Sequence, residues 1–286
     1  MASKDPSARQ SRSKDDSMEM KLKQLVSSLG FLFIVLAIFA GFASTMIFTI
    51  PQTVEDLDFT GWKHRLFITY ALVASLGHFI LAMHTDTSLK VVRSVVQQCE
   101  IDQQTSQPFR AHQCRLCKSV ILKHDHHCFM LGKCIGYHNQ KYFIWFCFHI
   151  AMAAFYVLFQ IALYLSLAYD VQFPGAGTYF VLLPRAVMGF VRGETECMEL
   201  ALTMYLYICL IGGFAALGFF MWEVGLSAAG LTSYEALHGQ KRKTKHSSSI
   251  SHNLKDTFGA YWFLGMILPV QLPQCGTGLY SMKSCS

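Results

Sequence analysis

Charge is scarce in this chain. Of its 286 residues only 15% are Asp, Glu, Lys or Arg, against 52% that are apolar, a balance unsuited to a single soluble domain. The apolar residues are gathered into long runs instead of period-2 or period-3.6 stripes. Those runs also lack paired acids and bases, which argues against a transporter that moves ions along intramembrane charges. The first 24 residues are polar and of mixed charge, and the apolar run that follows is too long for a signal-peptide core, so no cleavable signal is expected and the first run should act as an uncleaved anchor. No internal repeat is present. The closing Ser284-Cys285-Ser286 does not match a prenylation box, although Cys275 and Cys285 could accept acyl groups.

What is present begins with four runs, at residues 25–50, about 66–83, 143–169 and 199–222, each close to or above the roughly 20 residues needed to cross a bilayer. Four transmembrane helices are predicted. A fifth patch, 178–191, is broken by Pro184-Arg185 and followed by Arg192, so it is expected to be a short interfacial or re-entrant segment. The stretch from Phe258 to Val270 is too short to span and should lie on the membrane or against the bundle. The expected order is a disordered tail (1–24), helices one and two (25–83), an insert (84–142), helices three and four with a luminal loop (143–222), and a C-terminal tail (223–286).

Three of these segments, the two tails and the insert, hold 20 of the 24 Lys and Arg residues. By the positive-inside rule both termini and the insert face the cytosol. The net charge of +6 then reports topology and contact with anionic membrane lipid, and no nucleic-acid partner is needed to explain it. The basic stretch from Gln240 to Ser249 reads as a solvated loop.

The insert concentrates the chemistry. Cys114, Cys117, Cys128 and Cys134 lie with His112, His124, His126, His127 and His138 inside 27 residues. In a reducing compartment structural disulfides are not expected, so these thiols are metal ligands, reactive groups or both. The two-residue spacing of Cys114 and Cys117 points both sulfurs at one ion, and tetrahedral zinc then needs two more ligands from His124, His126, His127, Cys128, Cys134 and His138. A thioredoxin-type redox pair would need a βαβ setting that a short insert between membrane helices does not supply. If zinc takes Cys114, Cys117, His127 and Cys134, then Asp125, His126 and Cys128 remain as a carboxylate, a base and a nucleophile. Alternatively, Asp125 only holds a zinc-bound histidine in place. Spacing leaves both open.

The string from Arg110 to Phe143 closely resembles the cysteine-rich domain of the DHHC protein S-acyltransferases, or palmitoyltransferases. The resemblance rests on Asp125-His126-His127-Cys128, on Cys134-Ile135-Gly136 with Asn139, and on an aromatic entry into the third helix. Thr232-Ser233-Tyr234-Glu235 is similar to the family's Thr-Thr-x-Glu, and His252-Asn253 through Phe258-Gly259 to its C-terminal element. Within the family the chain looks most like a divergent branch that includes the vertebrate member numbered twenty-four.

The resemblance implies an all-α integral membrane protein of four transmembrane helices, with a cytosolic zinc-binding domain between helices two and three, in the Golgi or endoplasmic reticulum. It implies that Cys128 attacks a palmitoyl-CoA or similar acyl-CoA thioester and passes the acyl group to cysteines of substrate proteins. His126 would be the base, Asp125 its orienter, Arg110 and His112 the contacts to CoA phosphates, and Glu235 the bridge from tail to insert. Of the family's two zinc sites only Cys114, Cys117, His127 and Cys134 remain; Glu100, Gln103, Gln113 and Val120 stand where the other four ligands would be, so one zinc ion is expected. Further departures are Phe129-Met130 after the nucleophile, Gln107 before Pro108, and Asp86-Thr87-Ser88 after helix two. These departures admit a second reading, a catalytically weak membrane scaffold that binds acyl chains or partner proteins. Elsewhere His78 and His149 read as interhelical hydrogen-bonding groups, Cys147 and Cys209 as packing residues, and Gly212 with Ala216 as a close helix contact.

Overall fold

The computed structural model describes residues 6–49, 61–88, 110–238 and 249–274. Cys99, Glu100, Gln103, Gln107, Pro108, the basic stretch 240–248, Cys275 and Cys285 lie outside them. The main helices are α1 (Pro6–Ser44, continued by a π-helical turn Thr45–Thr49), α2 (Gly61–His84), α3 (Gln140–Tyr169), α4 (Thr178–Arg192) and α5 (Cys197–Ala229). Three short helices follow, α6 (Ser233–Leu237), α7 (Ile250–Phe258) and α8 (Trp262–Ile267).

Among the described residues, four helices are long and apolar enough to cross a membrane: Ser28–Ile47 within α1, then α2, α3 and α5. Helix α1 does not wait for the apolar run, as a disordered tail of 24 residues would require. It starts at Pro6, because Pro is tolerated at a helix start and residues 8–23 are mostly helix formers with no Gly.

Helix α3 is the hub, packed along α5 and α2. Its Val157, Ile161 and Leu165 meet Ile68 and Ala71 of α2 and Leu202, Leu206 and Cys209 of α5. The expected close contact on α5 is shifted by one residue. A Cβ on Gly213 would sit 3.3 Å from Ala154 and Phe155, whereas one on Gly212 would meet nothing within 4 Å.

The segment expected to be interfacial is the helix α4, which turns Leu182, Ala186 and Gly189 inward onto α5 and leaves Phe180, Val181 and Val191 exposed. Pro184 does not break it. The Tyr207 hydroxyl inserts one turn earlier, accepting from the Leu183 N–H at 3.1 Å and donating to the Tyr179 carbonyl.

The C-terminal apolar stretch lies against the bundle. His78 Nε2 meets the Gly265 carbonyl at 2.9 Å, the Tyr70 hydroxyl donates to Ile267 O at 3.1 Å, and Tyr261, Trp262 and Phe263 face outward.

The described residues between α2 and α3, 85–88 and 110–139, form strands and turns, so the class is not purely α. Two antiparallel hairpins occur there, β1 (Ala111–Gln113) with β2 (Val120–Leu122), and β3 (His126–Cys128) with β4 (Lys133–Ile135). Asn139 clamps them to the bundle. Its side chain accepts from Gly136 N at 2.9 Å and donates to Ala82 O and Cys134 O, each at 3.0 Å.

Candidate active site and metal cluster

The β3–β4 ladder divides its histidines and cysteines between two faces. Its register pairs His126 with Ile135, His127 with Cys134 and Cys128 with Lys133. Successive strand side chains point to opposite faces, so His127 and Cys134 share one face while His126 and Cys128 share the other.

On the first face the β1–β2 turn brings Cys114 and Cys117. It closes with Lys118 in the left-handed region (φ 53°) and a Cys114 N–H to Ser119 carbonyl hydrogen bond of 3.0 Å. The His127 Nδ1 atom lies 3.3 Å from Cys117 Sγ, 3.5 Å from Cys134 Sγ and 3.7 Å from Cys114 Sγ, and the four donor atoms all fall within 4.8 Å of one another. A zinc tetrahedron with Zn–S bonds of about 2.3 Å has edges of about 3.8 Å, so the donor set fits zinc. The Cys117–Cys134 sulfur separation of 3.3 Å is not a bond. Burial pushes the Cys117 and Cys134 thiols up, so three thiolates here need a cation to hold them.

Among the described residues this is the one cluster of Cys and His with that geometry. Gln113 and Val120, which pair directly across β1–β2, offer no thiolate or imidazole there. His124 and His138 take no part. The His124 ring is buried with no hydrogen-bond partner on either nitrogen, and His138 Nδ1 meets Gln274 Oε1 at 3.1 Å.

On the second face Asp125, 1% exposed, places Oδ2 2.6 Å from His126 Nδ1, and the Ser233 N–H donates to Oδ1 at 2.6 Å. His126 shares its face of β3 with Cys128, two residues along the strand. Burial alone would depress His126, but the bond to Asp125 and the thiol of Cys128 outweigh it and push its pKa up to about 10. Burial would likewise raise Asp125, yet its bonds to His126 and Ser233 hold it below the usual carboxylate range. This is the geometry of a base held by an acid beside a nucleophile. Cys128 itself is buried at the top of the apolar core, among Phe79 of α2 and Phe143, Phe146 and Cys147 of α3.

The chain residues 93–240 match the family model described as DHHC palmitoyltransferase, which is more than half of the sequence. The chain belongs to the DHHC palmitoyltransferase family. Among relatives, Palmitoyltransferase ZDHHC22 of Danio rerio is 37% identical over 159 residues, 56% of this chain and 57% of that protein. The ZDHHC22 of Mus musculus is 31% identical over 163 residues, 57% of this chain and 61% of that protein. The match therefore spans less than two thirds of these relatives. Probable palmitoyltransferase ZDHHC24 of Rattus norvegicus aligns further, at 28% identity over 225 residues, 73% of this chain and 75% of that protein.

The family's Thr-Thr-x-Glu counterpart opens α6. Thr232 caps it in a capping box with Glu235, and Glu235 also grips Arg110 through Nε and Nη2, both at 2.6 Å. Arg110 Nη2 reaches Gly230 O at 3.2 Å as well. Two of the three Arg110 nitrogens are thus engaged within the protein. His112 lies on Tyr234, with ring centroids 4.3 Å apart.

Three participants escaped the sequence reading. Ser233 supplies the backbone donor to Asp125, and Lys123, 3% exposed, pairs with Asp256 of α7 at 3.0 Å. The third is Glu223, 1% exposed, whose carboxyl joins Gln140 and Ser233 beside Asp125. With the fourth apolar run ended at residue 222, Glu223 read as the first residue of the C-terminal tail. The apolar Gly225-Leu226-Ser227-Ala228-Ala229 that follows was the available signal, because α5 continues through it to a left-handed cap at Gly230 (φ 70°).

Proposed function

We propose that this protein is a membrane-embedded protein S-acyltransferase that takes a long-chain acyl group, palmitoyl or similar, from acyl-CoA and transfers it to cysteines of substrate proteins. The observation that carries this reading is the Asp125–His126–Cys128 relay, set on the opposite face of β3 from the cluster Cys114, Cys117, His127 and Cys134. One zinc ion on that cluster would tie the two hairpins together and so fix the strand that bears Cys128.

In the first step His126 holds the proton of Cys128 as an imidazolium and the thiolate attacks the thioester carbonyl, forming a new C–S bond as the CoA sulfur leaves with that proton. In the second, an acceptor cysteine gives its proton to His126, attacks the acyl-enzyme and regenerates the Cys128 thiol. Asp125 keeps His126 in the right tautomer throughout.

The acyl chain would lie in an apolar cavity of about 400 Å³ lined by all four long helices, including Gly41, Ser75, Val157 and Tyr205. Ile150 borders both this cavity and the cluster around Cys128. Keeping the chain there makes physical sense at about 0.8 kcal/mol per buried CH₂. Arg110 and His112 would meet the CoA phosphates with the capacity that Glu235 and Tyr234 leave them. In this reading the hairpins and both termini face the cytosol of an endomembrane, Golgi or endoplasmic reticulum.

The test is incubation of purified protein with labelled palmitoyl-CoA. A hydroxylamine-sensitive label that disappears in Cys128→Ala and moves to an added cysteine-bearing substrate is expected. No label, or one unchanged in Cys128→Ala, would sink the enzymatic reading. Label that never leaves Cys128 would favour an acyl-binding scaffold, the reading that the engaged Arg110 keeps in play.

A further inference from the structure

Glu223 is a buried acid for which the relay has no role, although it touches the relay. Four elements converge on it: the turn before β3 with Asp125, the start of α3 with Gln140, α5 itself, and the start of α6 with Ser233. The hydrogen bonds fix what each atom does. Trp222 Nε1 can only donate, and it reaches Ser233 Oγ at 3.0 Å, so the Ser233 hydroxyl hydrogen goes to Glu223 Oε1 at 3.1 Å. Gln140 Nε2 donates to Glu223 Oε2 at 3.2 Å.

The Glu223 carboxyl also sits against that of Asp125: oxygens of the two, with a ring nitrogen of His126, all lie within 4.8 Å of one another, and Ser233 bridges them, its N–H on Asp125 and its hydroxyl on Glu223. Two carboxyls in that contact need one hydrogen between them. Asp125 already accepts from His126 on Oδ2 and from the Ser233 N–H on Oδ1, so it faces its neighbours as an acceptor, and the hydrogen is carried by Glu223. A buried acid in this position is a poor way to join helices, since an apolar residue of similar size would pack there without a polar group to satisfy. Its placement does suit another task, holding the far side of the carboxylate that holds His126.

We propose that Glu223 is a positioning residue for acyl transfer: braced by Gln140 and Ser233, its carboxyl fixes Asp125 from the bundle side and thereby sets the orientation of His126 against Cys128. The inference rests on the acyltransferase reading above and adds to it a residue reached through Asp125. Glutamine can do the same work, because its amide offers a donor to Asp125 and an acceptor to Ser233, and Gln140 can flip to match.

The experiment is single-turnover acylation of Cys128 by labelled palmitoyl-CoA in the full chain. Glu223→Ala, Glu223→Met and Glu223→Gln are made in the wild-type background, with Glu223→Ala and Glu223→Met also made on Asp125→Asn. Zinc content and thermal unfolding check each fold. Wild type must label first; if it does not, the acyltransferase reading fails and not this inference. The expected result is a loss of about tenfold or more for Glu223→Ala or Glu223→Met in the wild-type background, about twofold or less on Asp125→Asn, and a rate within about threefold of wild type for Glu223→Gln. Equal losses in both backgrounds would overturn the proposal, as would Glu223→Gln being as slow as Glu223→Ala, or no loss at all. If Glu223→Ala and Glu223→Met both lose zinc or fail to fold, Glu223 serves the fold alone and the proposal is wrong.

Discussion

His127 and Cys134 stand directly opposite each other across the β3–β4 ladder, and this one pairing turns His126 and Cys128 to the other face. Adjacent residues of a four-residue motif can therefore serve a metal and a thioester without competing. A strand makes this separation by default. On a helix, His126 and His127 would be only about 100° apart, given 3.6 residues per turn.

The division makes a metal prediction. Purified protein should carry one zinc per chain, and Cys134→Ser should lose it together with the cooperative unfolding of the hairpins, since the site's binding energy is folding energy. Cys128→Ser should keep the zinc while losing the acyl label. Elemental analysis beside thermal melts checks both, and two zinc ions per chain, or zinc loss in Cys128→Ser, would contradict the assignment.

Arg110 and Glu235 join the β1–β2 hairpin to α6 through a fork with both contacts at 2.6 Å, at 16% and 11% side-chain exposure. Removing either partner leaves a mostly buried charge behind, so Arg110→Ala and Glu235→Ala should each destabilise by roughly 2–4 kcal/mol. The double variant should be no worse than the more damaging single one. Arg110→Lys should recover little, because an ammonium cannot reproduce the fork. Denaturant melts of the four variants read this out, and additive losses would show that the two residues act separately.

The four long helices were legible because a span of about 20 apolar residues has few alternatives, and the grouping of Cys114, Cys117, His127 and Cys134 was legible because the family resemblance picks these four out of a larger pool of donors. The residues around Asp125 were not. Ser233 acts through its backbone N–H, which carries no side-chain signal, and Glu223 is reached only because α5 runs on to Gly230. Lys123 reads as one more basic residue in a basic insert until α7 brings Asp256 to it. The one-residue error at Gly212 has the same origin: helix phase against a neighbour is set by packing, and both glycines fit the same apolar pattern.

Glycine contacts give a packing prediction. A Cβ at Gly77 would lie 2.5 Å from Pro269, so Gly77→Ala should push the segment after α8 off α2, weakening the His78 contact to Gly265 and costing about 1–3 kcal/mol. Gly212→Ala, with nothing within 4 Å, should be neutral or slightly stabilising through helix propensity. Limited proteolysis near residue 270, followed alongside thermal melting, should separate the two; equal behaviour would mean that the Pro269 contact does not hold the segment.

The Lys123–Asp256 pair is asymmetric, and the asymmetry can be measured. Lys123 has a side-chain exposure of 4%, Asp256 one of 24%. Burial already lowers the Lys123 pKa, and Asp256 is what offsets it. Asp256→Ala would strand an ammonium in a nearly dry site, for roughly 3–5 kcal/mol. Lys123→Met instead removes the buried charge, keeps a long apolar stem beside Tyr137, and leaves only a carboxylate that water can reach, for about 1 kcal/mol. Because the pair joins α7 to the segment just before Asp125, Asp256→Ala should also slow Cys128 acylation more than Lys123→Met does. Equal losses of stability in the two variants would mean that the ammonium finds another partner, and that α7 is held by its packing on α5 and α3.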